Sequence, residues 1–479
     1  MYDITIIGCG VIGAAAAYAL SRYEGRVLVL EAENDVACGT TKANSAILHA
    51  GYDPEPGTRM ARLNVEGTAM AKQICARLDV PCDHCGSFVL ALAEDELPHL
   101  RHLYENGVAN GVPGLQLLTG PQALAMEPNL SPTVAGALYA PSAAIVNPWE
   151  FALAMAEVAV RNGVELRRSC PVTAITKTEG GWALTTPGGV VKTRYVINAA
   201  GVFADKVHAM AAPPTFAIQP TRGEYYLLDK CEGTRVHHVI FQCPGKLGKG
   251  VLVAPTVHGN LIVGPNAQRV EGNNTACTAE GLAYVSQTAR RSVPGIDFRA
   301  SIRNFAGVRA NVDRDDFVIE ESLPGFIDLA GIKSPGLSSA PAIAEEAVKL
   351  LAADGALGEK KTDYKDGRTH IRFHALSPAE KAALIQKQPA YGRVICRCET
   401  ITEGEILQAL HSEIPATTID GVKRRAGAGM GRCQGGFCGP RVLELICREQ
   451  GRDPLTVEQD TAGTFVLAAE TKQGGKHHG

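Results

Sequence analysis

The sequence predicts an α/β protein with an antiparallel sheet inserted into its first domain and a small helical domain at its C-terminus. Three observations carry this. Residues Asp3 to Glu31 read as an apolar strand, a glycine turn, an alanine-rich helix and a second strand. Residues 216 to 305 carry alternating strands. Four cysteines stand in two close pairs between Cys396 and Cys438. At 479 residues the chain exceeds one typical core and divides into two or three domains.

The first strand (Ile4 to Ile7) enters the turn Gly8-Cys9-Gly10-Val11-Ile12-Gly13. A helix then runs to about Tyr23, and Val27 to Leu30 form a second strand that closes on Glu31. A G-x-G-x-x-G between strand and helix, with an acid closing the next strand, is what a dinucleotide site requires. Gly8 and Gly10 admit a pyrophosphate, Gly13 lets the helix pack on the strand, and the helix N-terminus offers N–H donors and partial positive charge. Glu31 would accept from ribose hydroxyls. Thr40, Thr41, Asn44, Ser45 and His49 follow, small polar side chains beside a histidine, which suits a segment along a cofactor's phosphates and ring. Helix caps and a core histidine are the alternative.

Residues 58 to 78 have helical spacing (Met60, Leu63, Met70, Ile74, Leu78), and Ser87 to Leu92 reads as a strand. Between them Cys82 and Cys85 form a C-x-x-C with no second pair nearby, which favours loop or core thiols over zinc or redox chemistry. Residues 94 to 146 read as part of a cap. Pro148 opens a helix through Val160. Strands follow at Glu165 to Arg168, Val172 to Thr176, Trp182 to Thr186 and Tyr195 to Asn198, the last closing on Ala199-Ala200-Gly201. Val172, Ala200 and Gly201 are candidates for a second contact with the dinucleotide.

Strands at Gly223 to Leu228, Val251 to Pro255 and Asn260 to Gly264, with a helix over Ala279 to Val293, make the inserted substrate domain. Arg222 and Arg309, in Arg222-Gly223 and Gly307-Val308-Arg309, are expected to project from turns into a cleft, where an arginine fork holds a carboxylate or phosphate. Structural ion pairs are the competing reading. Phe326 to Ala330 is a strand, followed by a glycine turn and a helix from Ala340 to Leu351. In that turn Gly331, Gly336, Leu337 and Ser338 are candidate cofactor contacts and Lys333 a candidate catalytic cation. The helix N-terminus is suited to an electron-rich ring edge.

The expected division assigns 1–93, 147–215 and 306–352 to the nucleotide domain and 94–146 with 216–305 to the substrate and cap domain. A linker spans 353–390, a metal domain 391–450 and a tail 451–479. Cys396 and Cys398 form a C-x-C, and Cys433 and Cys438 a C-x-x-x-x-C, a set that specifies iron–sulfur or, less favoured, structural zinc. Capping boxes start helices at Ser377 and Thr402, and Pro440 opens another. Between Gly421 and Arg441 stand Lys423, Arg424, Arg425, Arg432 and Arg441 and no acid, a positive setting that raises a cluster's reduction potential.

A net charge of −3 and a pI near 6.5 give no electrostatic case for nucleic acid. No run reaches the apolar length of a membrane span, though peripheral membrane contact stays open. The first strand begins at once, so a signal peptide is not expected and the cytoplasm is the expected compartment. Fourteen cysteines then read as thiols or metal ligands rather than disulfides.

The glycine turn, Asn44 to Gly51, Arg222-Gly223-Glu224-Tyr225, Val196 to Gly201 and the turn Gly331 to Ser338 together resemble the FAD-dependent D-amino-acid-oxidase-like superfamily. The likeness is to its L-2-hydroxyglutarate and glycerol-3-phosphate dehydrogenase branches, over roughly residues 1 to 352. The segment 391 to 450 is similar to the bacterioferritin-associated-ferredoxin type of [2Fe–2S] domain. The resemblance implies a Rossmann-like FAD-binding domain with FAD at Gly8, Gly10, Gly13, Glu31, Thr41, Ser45, Gly201 and Gly336, and a cluster on Cys396, Cys398, Cys433 and Cys438. The expected activity is a dehydrogenase taking a hydride from a small anionic secondary alcohol, with His49 as base and the two arginines on the acid group. Electrons would leave singly through the cluster to an acceptor protein or further subunits of a dehydrogenase complex. Glycerol 3-phosphate, L-2-hydroxyglutarate and a secondary-amine acid all satisfy these groups. A non-catalytic electron-transfer subunit is the competing class, disfavoured by His49 and the arginines.

Overall fold

The computed structural model describes residues 1–243 and 250–471. Residues 244–249 of the substrate segment and 472–479 of the tail lie outside the described residues. The chain forms two compact units, Met1–Ala32 with Val36–Arg368, and Glu33–Asp35 with Thr369–Gly479.

The first unit opens with β1 (Tyr2–Ile7), α1 (Val11–Leu20) and β2 (Val27–Leu30). It continues through β3 (Ile47–Leu48), α2 (Arg59–Arg77), β4 (Cys82–Asp83), β5 (Ser87–Ala91), α3 (Leu97–Ala109), β6 (Gln116–Thr119) and α4 (Gly120–Met126). Next come β7 (Gly136–Ala140), β8 (Ala144–Val146), α5 (Pro148–Arg161), β9 (Glu165–Arg167), β10 (Ala174–Thr178), β11 (Gly181–Thr186) and β12 (Gly189–Asn198). After α6 (Ala204–Ala211) the chain runs β13 (Ile218–Leu228), β14 (Val239–Gln242), β15 (Leu252–Pro255), β16 (Leu261–Gly264) and β17 (Gln268–Arg269). It closes with α7 (Ala279–Ser292), β18 (Ser301–Val312), β19 (Val318–Leu323), β20 (Phe326–Ala330) and α8 (Gly336–Ala353).

Strands β9, β2, β1, β12 and β20 lie side by side in parallel. All four residues of β2 and the last four of β1 are buried, as continuous apolar runs in a sheet covered on both faces must be. The alanines of α1 let it lie close against α5 and α8. It ends at Leu20, short of Tyr23, because Ser21 Oγ turns back onto Tyr18 O at 2.8 Å and Tyr23 bridges to Lys360.

The second sheet has nine strands in the order β17-β13-β16-β15-β14-β5-β7-β6, with β18 on β13. It is not purely antiparallel, since β5 and β14 run parallel. The expected boundaries therefore shift: β5 belongs here rather than with the nucleotide sheet, the cap segment contributes β6 and β7, and β18 runs through the boundary expected at 305/306. Phe88, Leu228, Val253 and Val263 pack against Val285 and Ala289 of α7 to form this sheet's core. A third sheet, β3-β8-β4, carries the segment that ends at His49.

The residues after α8 are not a free linker. Glu24 N–H donates to Glu359 O at 2.8 Å, Asp366 accepts from Tyr18 and Arg77, and buried Arg368 is forked between Glu150 (3.0 Å) and Glu157 (2.7 Å). The unit boundary falls after Arg368.

The second unit contains α9 (Pro378–Lys387), β21 (Val394–Cys396), β22 (Ile401–Thr402), α10 (Glu403–Leu410), α11 (Ile419–Ala426) and α12 (Gly439–Gln450). Its core is Ile406, Val422, Val442, Ile446 and neighbours. The capping boxes at Ser377 and Thr402 are both formed in full. The basic run departs from expectation: Lys423, Arg424 and Arg425 are buried. Asp35 accepts from Arg425 (2.7 Å) and Arg424 (3.0 Å), and Asp460 from Arg424 at 2.7 Å, so carboxylates within the same unit neutralise these charges. Burial alone would push the Asp35 carboxyl up, but Arg425 and Arg424 outweigh it and hold the group well below the carboxylate range.

Candidate active site and metal centre

The glycine turn is built as a dinucleotide cradle. A Cβ on Gly13 would stand 1.9 Å from Gly8 O, so only glycine lets α1 start this close to β1. Glu31 is buried, and its Oε2 accepts from Cys9 N–H at 2.6 Å. Thr41 Oγ1 accepts from Val11 N–H at 2.9 Å. Asn44 donates to the carbonyls of Thr40 (3.1 Å) and Thr41 (2.8 Å) and accepts from Ala46 N–H. Thr40 Oγ1 donates to Val308 O at 2.6 Å. These side chains thus brace the loop itself. Gly201 follows the strand end, where Ala200 N–H donates to Asn198 Oδ1 at 3.3 Å. Val172 lies before β10, which begins two residues later than expected, and packs against the hydrophobic cluster that includes Ile7 and Leu28. A glycine cradle, a helix N-terminus and a buried acid closing β2 fit an adenine dinucleotide.

His49 is held from several sides. Its N–H donates to Ser338 Oγ at 2.7 Å, and its C=O accepts from Asn64 Nδ2 and Thr68 Oγ1 of α2, each at 2.7 Å. Its ring stacks on Phe241 at 5.7 Å, and Nε2 lies 3.3 Å from Ser334 Oγ. Ser338, expected at the cofactor, spends its hydroxyl on the β3 backbone. The helix after the turn starts at Gly336 rather than Ala340, which puts Leu337 and Ser338 inside its first turn. Lys333 is half-buried beside Ser334, with its N–H on Gly331 O at 3.0 Å.

The two arginines do not converge, and neither projects from a turn. Thr221 opposes Arg309 across the β13–β18 pair, so Arg309 shares a face with Thr221, Gly223 and Tyr225, while Arg222 points to the other face. There Arg222 is buried, bonded to Gln268 Oε1 (2.5 Å) and paired with Glu224 Oε1 (3.1 Å). Arg222 is thus a structural ion pair behind the sheet. Arg309 is half-buried and bonds only loosely to Asn266 O (3.3 and 3.4 Å). Its face lies on the cofactor segment: Tyr225 OH is 3.2 Å from Ser45 Oγ, and Gly307 sits so close to Ala43 that a Cβ would meet Ala43 O at 1.8 Å. Ser334, Phe241, Asn64 and Thr68 went unread in the sequence because they meet His49 from distant segments with no spacing of their own.

In the second unit the thiols stand as two pairs. Cys398 donates to Cys433 at 3.3 Å near the surface, and Cys396 and Cys438 bond each other in the interior. The bond from Cys438, aided by the N–H groups of Gly429 and Glu399, lowers the Cys396 thiol to about 6. Cys433 is held below the thiol range by Phe437 N–H, then Cys398 and Gly435 N–H. Among the described residues no three His, Cys, Asp or Glu side chains are placed around one metal ion. Two pairs, two thiolates per iron, with N–H donors on the sulfurs, fit a two-iron cluster better than a single zinc.

These sites define a flavin-type oxidoreductase with a small cysteine-cluster domain. Residues 3–350 match the FAD dependent oxidoreductase family, to which the chain belongs, and residues 394–448 match the BFD-like [2Fe–2S] binding domain. FAD and a [2Fe–2S] cluster are its cofactors. The chain is 49% identical over 476 residues to the glycerol 3-phosphate dehydrogenase of Caloramator mitchellensis, spanning 98% of this chain and 99% of that protein. It is 34% identical over 363 residues to the glycerol 3-phosphate oxidase of Mycoplasma genitalium, spanning 73% of this chain and 94% of that protein. The dithionite-reduced, FAD-bound L-α-glycerophosphate oxidase of Mycoplasma pneumoniae superposes with a TM-score of 0.73 at 30% identity, over 78% of this chain and 99% of that one. Among the described residues no helix is long and apolar enough to cross a membrane.

Proposed function

We propose that the chain is a glycerol 3-phosphate dehydrogenase whose electrons leave through the C-terminal domain. The near-full-length likeness to a glycerol 3-phosphate dehydrogenase, cysteine domain included, carries the reading. Bound FAD supplies hydride acceptance, and the [2Fe–2S] centre supplies one-electron relay to an acceptor protein or a further subunit. Gly8, Gly10, Gly13 and Glu31, with Thr40, Thr41, Asn44 and Ser45, hold the dinucleotide; Val172, Ala200, Gly201, Gly331, Gly336, Leu337 and Ser338 frame it. His49 Nε2 takes the substrate hydroxyl proton as hydride leaves the carbon. The Arg309 fork, with Lys333 as a second cation, binds the phosphate and orients that carbon. Arg222 supports the strand that carries this face. Cys396, Cys398, Cys433 and Cys438 would ligate the iron, with the Cys398–Cys433 pair nearer the surface than the Cys396–Cys438 pair.

The test is anaerobic titration of the holoenzyme while flavin absorbance is followed. Glycerol 3-phosphate is expected to bleach the flavin, and L-2-hydroxyglutarate and secondary-amine acids to leave it yellow. Bleaching by either of the latter, with none by glycerol 3-phosphate, would reassign the substrate.

A further inference from the structure

The Cys82-x-x-Cys85 motif takes no part in the chemistry above, and its two thiols do not pair with each other. Val80 N–H donates to Cys75 O at 2.9 Å as the chain turns from α2 into β4, which brings Cys82 beside Cys75, two residues before the end of α2, while Cys85 Sγ turns to Gly86 O at 3.5 Å. Cys75 is fully buried and Cys82 and Cys85 are half-buried; all three are free thiols. One turn before Cys75, Lys72 is anchored by Ser142 O at 2.7 Å, with its charge acting on both Cys82 and Cys85. The bond from Cys75, with Lys72 added, lowers the Cys82 thiol against the opposing effects of burial and Asp83. The Cys75 bond to Cys82, burial and the Glu150 charge raise the Cys75 thiol. The pair is thus polarised, one member the nucleophile and the other the resolving thiol.

We propose that Cys75 and Cys82 form a peroxide-oxidised dithiol that closes to a disulfide. The Cys82 thiolate attacks one oxygen of hydrogen peroxide, the O–O bond breaks, and hydroxide leaves with Cys82 as the sulfenic acid. Cys75 sulfur then attacks the Cys82 sulfur, the S–O bond breaks, and the departing hydroxide takes the Cys75 proton as water. The two sulfurs together lose two electrons and the peroxide gains them. The cross-link ties α2 to β4, and both bear on His49. Asn64 and Thr68 of α2 hold its carbonyl, and β4 pairs through β8 with β3, the strand that leads into it.

The experiment treats the holoenzyme with graded hydrogen peroxide, blocks remaining thiols and maps peptides by mass spectrometry. Exposed Cys231 is the internal control for a plain surface thiol. A Cys75–Cys82 peptide is expected at peroxide levels that leave Cys231 unmodified, reversed by dithiothreitol, retained in Cys85→Ser and formed several-fold more slowly in Lys72→Met. Linkage of Cys82 to Cys85, or no Cys75–Cys82 linkage once Cys231 is oxidised, would overturn the proposal. Substrate bleaching of the flavin is expected to slow at least two-fold in the cross-linked protein and to recover on reduction. An unchanged rate at full cross-linking would overturn the coupling to His49.

Discussion

The cysteine centre and the flavin-side site are assembled in contrasting ways. The thiols come from two short segments, Cys396 to Cys398 and Cys433 to Cys438, each folded by its own turn and braced by N–H groups of Gly429 and Gly435. The flavin-side site draws on segments from Gly8 to Ser338 and depends on sheet register: a one-residue offset puts Arg309 on the face that meets Ser45 through Tyr225 and Arg222 behind it. The first kind of site is lost when a ligand is lost and leaves the other unit intact. The second degrades in steps, according to which face a side chain occupies.

The largest effect expected is at the cysteines. Cys433→Ser should abolish the iron content and the reduced-state paramagnetic signal, and stop turnover with the physiological acceptor, while glycerol 3-phosphate still bleaches the flavin in a single turnover. Stoichiometric zinc after anaerobic purification, or full acceptor activity without the cluster, would break the contrast. Gly13→Ala should be nearly as severe within the first unit: with a methyl 1.9 Å from Gly8 O, flavin content should drop at least ten-fold while iron content holds, as read from absorbance and metal analysis.

Asp35→Ala tests what holds the second unit together. It leaves Arg424 and Arg425 buried without their carboxylate, which typically costs about 3 to 5 kcal/mol. A thermal melt followed through cluster absorbance should show a large drop. The pH dependence has a definite sign. The Asp35 carboxyl lies lower in the folded protein than the unfolded value near ~3.9, so its contribution is full above that value and is lost as pH falls toward the folded one. Glu403, held at about 2 by Arg393 and then Arg448, adds to the same acid limb. In Asp35→Asn the melting temperature should fall less steeply between about pH 5 and 3.

The smallest effects sharpen the register argument. Arg309→Lys keeps charge but loses the fork, and a charged hydrogen bond of about 1.5 to 3 kcal/mol implies ten-fold or more in kcat/KM with flavin content unchanged. Arg222→Lys should do the reverse, lowering the melting temperature through the Glu224 pair with little change in kcat/KM. Equal kinetic losses in both would mean that the two faces are not distinct in function.

Local sequence determined the glycine cradle with Glu31, the capping boxes at Ser377 and Thr402 and the four-cysteine set, because each is specified by residues within one turn or one βαβ unit. Other features required the tertiary structure. Arg222 and Arg309 each lie within two residues of a glycine, and only antiparallel register separates their faces. The run Lys423-Arg424-Arg425 reads as positive charge until Asp35 and Asp460 fold beside it. Cys82 reads as half of a C-x-x-C until α2 delivers Cys75. In each case the deciding partner lies on another strand or helix, and the sequence pattern around one residue carries no information about what packs against it from there.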